Sequence, residues 1–321
     1  MNDDRASRER GNPRERILVG SLVVLIGMAL LARAVSAHPG SAIVVDEKGQ
    51  IFFTDTGHCV WKIDSEGKLT RFHNKGAHWM ALDRMGRFPR PDLDKWFAKR
   101  ITPWLYKVPL EDSDRGSALI LADGCPLAVH GDGDLYYANR NLEITRLSPD
   151  GKLTPLASNL SETTEKLRGV KGLASGPDGS LYAACPSAVL KIAMDGKVTT
   201  IVHPIALKDC DKNLPQDIPE PYLRGLAVDS RGTVYAAAAG CRRVLKIAPG
   251  GNVEVVLKSE PPWSPNGVAV HRDAVYVLEN TNPNAAAGAD EWVPRVRKLE
   301  PDGKVTTLAT VSREERKPPA K

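Results

Sequence analysis

The chain has 321 residues, 42% hydrophobic and 26% charged, a globular balance that excludes wholesale disorder and collagen-like structure. Forty-four Lys and Arg against 39 Asp and Glu leave +5, too little over this length to argue for nucleic acid. Gly (27) and Pro (24) are together about one residue in six, more than a helix-rich protein tolerates, and point to a turn-rich β protein.

The N-terminus reads as an address. Arg5, Arg8, Arg10, Arg14 and Arg16 precede an apolar run from Ile17 to Ala32. As a helix this run spans about 24 Å, short of the ~30 Å hydrocarbon core. Val35-Ser36-Ala37 then supplies small residues where a signal peptidase reads. Residues 1–37 are expected to be a secretory signal peptide, with an uncleaved anchor over 17–32 as the alternative. Both readings put the rest of the chain outside the cytoplasm, periplasmic or secreted, and confine membrane contact to this segment. Six arginines and four acids lie in 1–37, so the remainder carries +3 and a nucleic-acid partner recedes further. The remainder is expected to be monomeric.

From Ser41 onward one short phrase recurs six times: VWKID (60–64), LYKVP (105–109), ITRLS (144–148), VLKIA (189–193), VLKIA (244–248) and VRKLE (296–300). Apolar residues flank a Lys or Arg, as in a half-buried strand. Two apolar runs split by a turn precede most copies, as in RGLAVDSRGTVYAAA, and a second turn with a β-rich run follows, as in PDGKVTTL. Four strands per unit, repeated six times, predict an all-β chain: a six-bladed β-propeller of four antiparallel strands per blade over residues 38–311, followed by a polar tail, 312–321. Asp-Gly and Gly-Gly pairs are expected to supply the positive φ of the turns. Blade two is degenerate. Residues 78–88 give its first strand and a stunted second, WLYKVP its third, and SALILADG its fourth. FPRPDLDKWFAKRITP is an insertion that could hold a short helix.

These units resemble NHL repeats. Over residues 41–311 the chain resembles the six-bladed superfamily of SMP-30/gluconolactonase and strictosidine-synthase-like proteins. The resemblance implies a propeller whose channel mouth holds the ligand. For the gluconolactonase-like members it also implies a divalent metal, often calcium, held by Glu, Asn and Asp oxygens. Here Asn266, within Ser264-Pro265-Asn266-Gly267, matches such a ligand position. The segments PNGV (265–268) and AVYVLE (274–279) are similar to strictosidine-synthase-like proteins, which makes Glu279 a candidate acid or base.

Strand polarity orders the loops. If each inner strand starts at the top, the tight Gly turns lie at the bottom. The long insertions 89–103, 206–221, 259–265 and 280–295 then fall on top, the expected binding face. Trp96, Trp104, Trp263 and Trp292 lie in or beside them, with Trp79 starting an inner strand. These could recognise a ligand or pack the loops. The inner-strand mouths read Ser41, His78, Cys125, Lys171, Arg224 and Asn266 in blade order. A second layer reads Asp55, Asn139, Cys185, Ala238 and Glu279, with His58 close to Asp55. Lys171 and Arg224 near each other need an answering charge. Asp55 and Glu279 could supply it as a structural network, or a ligand carboxylate or phosphate could. His78 is a candidate general base. No Gly-rich phosphate loop or CxxC spacing is present.

The five cysteines all project to the top face by the same polarity. Cys210, in the loop before blade five, and Cys241, in that blade, are the expected disulfide. Cys125 with Cys185 is the weaker pairing, leaving Cys59 free, and a thiol site around Cys125 and His78 is the alternative. The sequence thus predicts an exported propeller that binds a small polar or anionic molecule in its top channel. It is either a lactonase-like hydrolase or a non-catalytic ligand- or protein-binding scaffold.

Overall fold

A computed structural model describes residues 39–86, 105–110, 116–138, 143–157, 169–208, 210, 221–281 and 291–317. The expected export segment, Asn139, Trp96 and Trp104 lie outside these residues, as do much of the 206–221 and 280–295 insertions. Blade one is β1 (Ile43–Val45), β2 (Ile51–Asp55), β3 (Cys59–Ile63) and β4 (Leu69–His73). Blade two is β5 (Trp79–Asp83), β6 (Leu105–Pro109) and β7 (Ala118–Ala122). Blade three is β8 (Leu127–Val129), β9 (Leu135–Ala138), β10 (Ile144–Leu147) and β11 (Leu153–Ala157). Blade four is β12 (Gly172–Ser175), β13 (Leu181–Cys185), β14 (Ala188–Ile192) and β15 (Val198–Val202). Blade five is β16 (Leu223–Val228), β17 (Val234–Ala238), β18 (Arg243–Ile247) and β19 (Val253–Lys258). Blade six is β20 (Trp263–His271), β21 (Ala274–Thr281), β22 (Pro294–Leu299) and β23 (Val305–Thr310).

Five sheets hold four antiparallel strands in chain order, and each inner strand touches the next around a closed ring, β1, β5, β8, β12, β16, β20 and back to β1. The fold is a six-bladed β-propeller. The six recurring phrases are all the third strand from the axis. In five of them the basic residue stands directly opposite an aromatic on the second strand: Lys62 and Phe52, Arg146 and Tyr136, Lys191 and Tyr182, Lys246 and Tyr235, Lys298 and Tyr276. A long basic side chain laid over a ring covers apolar surface while its charge reaches water.

Blade two departs from the expected order. Among the described residues it has three strands, ordered β5-β7-β6. SALILADG is therefore not the fourth strand but the second from the axis, paired to both β5 and β6. Residues 84–85 form a turn where a stunted strand was expected to begin. The chain leaves β5 at the bottom and enters β6 at the top, and the 89–103 insertion lies outside the described residues. The 259–265 segment is not all loop, because β20 begins at Trp263 and pairs with β21 up to Thr281.

The bottom turns of blades one and five share one chemistry. Gly49 sits at φ 80°, and its N–H donates to Asp46 O at 3.1 Å. A side-chain oxygen of Asp46 accepts from Gln50 N at 2.7 Å. Asp229 does the same for Arg231 and Thr233 at 2.9 and 2.8 Å. A turn closed by a left-handed residue is thus held by a carboxylate taking backbone N–H groups. In blade six no Gly is used: Arg272 and Asp273 are both at positive φ in a two-residue hairpin turn.

Between each pair of neighbouring blades lies one apolar cluster. That between blades three and four includes Ile144, Leu181 and Leu190, and that between six and one includes Phe53, Trp61, Leu278 and Val296. The core is thus six slabs arranged around a channel. The inner strands converge so closely that side chains are excluded at their mouths. A Cβ on Gly172 would lie 2.3 Å from Arg224 O, one on Gly225 2.8 Å from Gly267 Cα, and one on Gly267 2.3 Å from Ser41 O. Gly172→Ala and Gly225→Ala should each lower stability by about 1–3 kcal/mol, because backbone must move. Gly250→Ala, where an added Cβ meets nothing within 4 Å, should stay within about 0.5 kcal/mol. Denaturant unfolding of the three variants measures this, and equal losses would contradict the convergence.

Candidate functional site

Convergence brings neighbouring mouth residues together at the top. Ser41 N–H donates to His78 O at 2.8 Å, and His78 N–H to Ala122 O at 3.1 Å, stitching blades one and two. Trp79 stands where blades four, five and six have glycine. Its indole Nε1 donates across blade three to Lys171 O at 3.1 Å. Arg224 Nη1 donates to Asn266 Oδ1 at 2.9 Å, and Nη2 to Pro39 O. Blades five, six and one thus meet on one guanidinium.

Two irregularities aim these side chains. The β16–β17 register shifts between Leu223 and Leu226, across Arg224, and the β20–β21 register shifts between Pro265 and Gly267, across Asn266. An extra residue in one strand re-aims its side chain. Arg224 is buried, and burial lowers its guanidinium to about 10, still a cation at neutral pH. Lys171 and His78 are half-buried. His78 Nδ1 lies 3.6 Å from Asp123 Oδ1, and its ring centroid is 5.5 Å from that of Trp79.

The second layer is an ion-pair shell. Asp55, fully buried, accepts from Arg316 Nε and Nη2 at 2.9 and 2.7 Å and from the Trp61 indole at 3.2 Å. Burial raises its carboxyl above the ordinary value, with Arg316 pulling the other way. Glu279, also fully buried, accepts from Ser259 Oγ, from Arg295 Nε and from Arg297 Nη1 at 3.4 Å. Arg295 in turn lies 4.2 Å over the Trp263 ring and 2.9 Å from a Glu260 oxygen. The carboxylates expected to answer Lys171 and Arg224 are therefore held by other arginines. Glu279 is the hub of an ion-pair network, not a group poised over the mouth.

Sequence reasoning missed Arg295, Arg297, Arg316 and Asp123. For Arg295 a signal exists: pairing VRK against YVLEN sets it opposite Glu279. For Arg316 there is none, since it lies in what reads as a polar tail. Trp292 is buried, and its carbonyl accepts from Arg316 and Asn280, so it packs its loop instead of facing a ligand.

The calcium position does not fit. Asn266 gives its Oδ1 to Arg224, and its Nδ2 donates to Ser264 O and Asn280 Oδ1 at 3.0 and 3.2 Å. A hard cation needs six to eight oxygens, and this ring carries Lys171 and Arg224. Among the described residues no three His, Cys, Asp or Glu side chains could together hold a metal.

Cys210 and Cys241 form a disulfide, as expected, with Cα atoms 4.3 Å apart. The bond is consistent with an oxidising compartment. Cys125 and Cys185 are not paired, and with Cys59 they are buried free thiols. Burial pushes all three up to about 12, which leaves Cys125 protonated and unsuited to nucleophilic or metal chemistry.

Two cavities flank these features. One, of about 620 Å³, is the lower end of the channel, lined by the closing halves of all six inner strands and by Glu47, Asp83, His130 and Asp229. None of the mouth residues lines it. The other, of about 430 Å³, is lined by His58, Glu291, Arg313, Arg316 and Lys317.

No protein-family model matches the chain, and no curated protein does. Solved structures do. The chain is similar to a protein of unknown function from Bacteroides thetaiotaomicron, with 15% identity over 82% of this chain and 70% of that one, TM-score 0.52. It is also similar to virginiamycin B lyase from Staphylococcus aureus (14%, 87% of each chain, TM-score 0.46). A third is regucalcin, a calcium-binding protein from Agrobacterium tumefaciens (14%, 78% and 85%, TM-score 0.47). The likeness is one of fold. The calcium and the lyase activity in those names stay with those proteins.

Arg316→Ala should cost about 3–5 kcal/mol by leaving Asp55 buried and unpaired, read as a lower unfolding midpoint. In the native protein the three thiols should resist a disulfide reagent at pH 8, and all three should react in denaturant. Fast labelling of Cys125 in the native state would reopen a thiol role.

Proposed function

We propose that the protein works outside the cytoplasm and binds a small anionic molecule, a carboxylate, at the top mouth of its channel. One observation carries this. The six mouth positions that the inner strands bring together hold Lys171, Arg224 and His78, and no acid. The two buried carboxylates of the second layer are engaged by Arg316, Arg295 and Arg297. Clustered cations walled by low-dielectric protein concentrate the opposite charge, and Asp123, 3.6 Å from His78 Nδ1, offsets part of that charge on the blade-two side. Arg224, fixed by Asn266 and Pro39, is the preorganised element, and Lys171 is the adaptable one. The arginine-rich leader and the disulfide support a place outside the cytoplasm.

A second reading adds chemistry. Asp123 Oδ1 stands 3.6 Å from His78 Nδ1, just beyond hydrogen-bond reach, and a general base needs such a carboxylate to close in and orient the imidazole. A hydrolase of lactones or esters would use this pair with the Arg224 and Lys171 charges on the developing oxyanion. It takes no metal at Asn266.

Calorimetric titration at low ionic strength with sugar acids and with the matching neutral sugars tests the binding. The acids should bind and the neutral sugars should not. Lys171→Ala should weaken binding about 10- to 100-fold, the worth of one charge-assisted hydrogen bond, without lowering the unfolding midpoint. Equal affinity for acid and sugar, or an unaffected variant, would sink the reading. If a lactone or ester is turned over, His78→Ala should slow it about 100-fold or more. Turnover untouched by that change would remove His78 from the chemistry.

A further inference from the structure

The C-terminal segment after β23 is built, not loose. Ser312 N–H donates to a Glu315 carboxylate oxygen at 2.6 Å, and Glu315 N–H to Ser312 Oγ at 3.2 Å. This reciprocal pair closes a turn in the manner of a capping box. Arg71, from blade one, donates to the carbonyls of Glu315 and Arg316 at 3.1 and 2.9 Å. Arg316 runs inward to Asp55 and to Trp292 O. Residues 312–316 are thus fastened across the junction of blades six and one, on the same top face as the mouth.

The fastening leaves the cavity of about 430 Å³. Among the described residues its walls come from three places: His58 in the β2–β3 turn, Glu291 ahead of β22, and Arg313, Arg316 and Lys317 of the fastened segment. Arg316 is matched by Asp55. Arg313 and Lys317 are both exposed on a backbone held by the Ser312–Glu315 pair and by Arg71, His58 lines the same cavity, and Glu291 offsets one of the two charges. A guanidinium fork beside a point-charge ammonium suits a phosphate group, which has oxygens enough for both. The volume lies within the range of small-molecule pockets and exceeds what a bare oxyanion needs.

We propose that this cavity is a second ligand site, distinct from the channel mouth, that takes the phosphate group of a small phosphate monoester. Arg313 and Lys317 hold the phosphate, His58 donates or accepts at its edge, and Glu291 hydrogen-bonds a hydroxyl of the attached group. The site does not rest on the carboxylate reading of the mouth, because it shares none of its residues.

The test is calorimetric titration of the purified protein with a hexose phosphate, the parent hexose, and inorganic phosphate, at constant ionic strength. The hexose phosphate should bind, inorganic phosphate should bind more weakly, and the hexose should not. Arg313→Ala and Lys317→Ala should each weaken the hexose phosphate about tenfold or more, one charge-assisted contact apiece. Both residues are exposed, so unfolding midpoints without ligand should match wild type. Lys171→Ala should leave this affinity unchanged. Absence of binding by wild type, or indifference to Arg313→Ala and Lys317→Ala, overturns the proposal. Loss on Lys171→Ala alone also overturns it, by moving the phosphate to the mouth.

Discussion

Everything at the top of this propeller depends on how closely the inner strands approach one another. Gly172, Gly225 and Gly267 leave no room for a Cβ against the next strand's backbone. Side chains that would fill an ordinary sheet interface are displaced to the residue before the glycine, at the rim of the channel. Lys171, Arg224 and Asn266 occupy those positions. The same crowding that demands glycine thus concentrates charge at the rim, where Lys171 stays half-exposed and Arg224 is buried against Asn266 and Pro39 O. Blade two breaks the rule with Trp79, whose indole reaches over to Lys171 O instead of letting two backbones touch.

Closing the ring poses a second problem. Each described sheet is made of strands from one stretch of chain, so no shared strand ties blade six to blade one. Side chains do that work. An apolar slab of Phe53, Trp61, Leu278 and Val296 fills the seam, and the Arg316–Asp55 pair caps it from above. A buried ion pair adds little net stability over an apolar pair of equal volume, yet it is costly to break. It suits a seam that must find one register, because a slipped closure would leave Asp55 unanswered. The same accounting applies to Glu279 with Arg295 and Arg297. Both pairs also have an effect at a distance: they withdraw the carboxylates that could have neutralised the mouth.

Much of the fold was legible in the sequence, and for a physical reason. Turn chemistry and strand alternation are local, so six repeats of each announce six blades. The third-strand phrase is legible even in blade two. That blade's strand order is not, because an apolar run such as ALILA pairs equally well at two places in a sheet, and only tertiary contact decides. Strand polarity sets Ser41, His78, Lys171, Arg224 and Asn266 at the starts of inner strands, and the structure joins Ser41 to His78 and Arg224 to Asn266. The other side-chain partners did not follow. Asn266 reads as a metal ligand until the bulge at that position is seen to turn its oxygen toward Arg224. Arg316 is the clearest loss. A single arginine in a hydrophilic tail carries no periodicity, and its role comes from Asp55, some 261 residues earlier.

The division between the two faces follows from the turns. At the bottom, Asp46 and Asp229 give their side-chain oxygens to backbone N–H groups of their own turns. Such a carboxylate cannot also serve a ligand without dissolving the turn that places it. Outside blade two the first-hairpin bottom turns are therefore short and chemically occupied, and the cavity there is lined by inner-strand residues and by Glu47, Asp83, His130 and Asp229. Top connections join the second strand to the third, some through tight turns such as the one at Gly57 (φ 83°), or one blade to the next. They vary in length, admit the Cys210–Cys241 staple, and free their charged residues for contacts with other blades. Lys171, Arg224, Arg313 and Lys317 all lie on that face. Strand polarity, set by the first hairpin of each blade, has thus already decided where this propeller can evolve recognition and where it cannot.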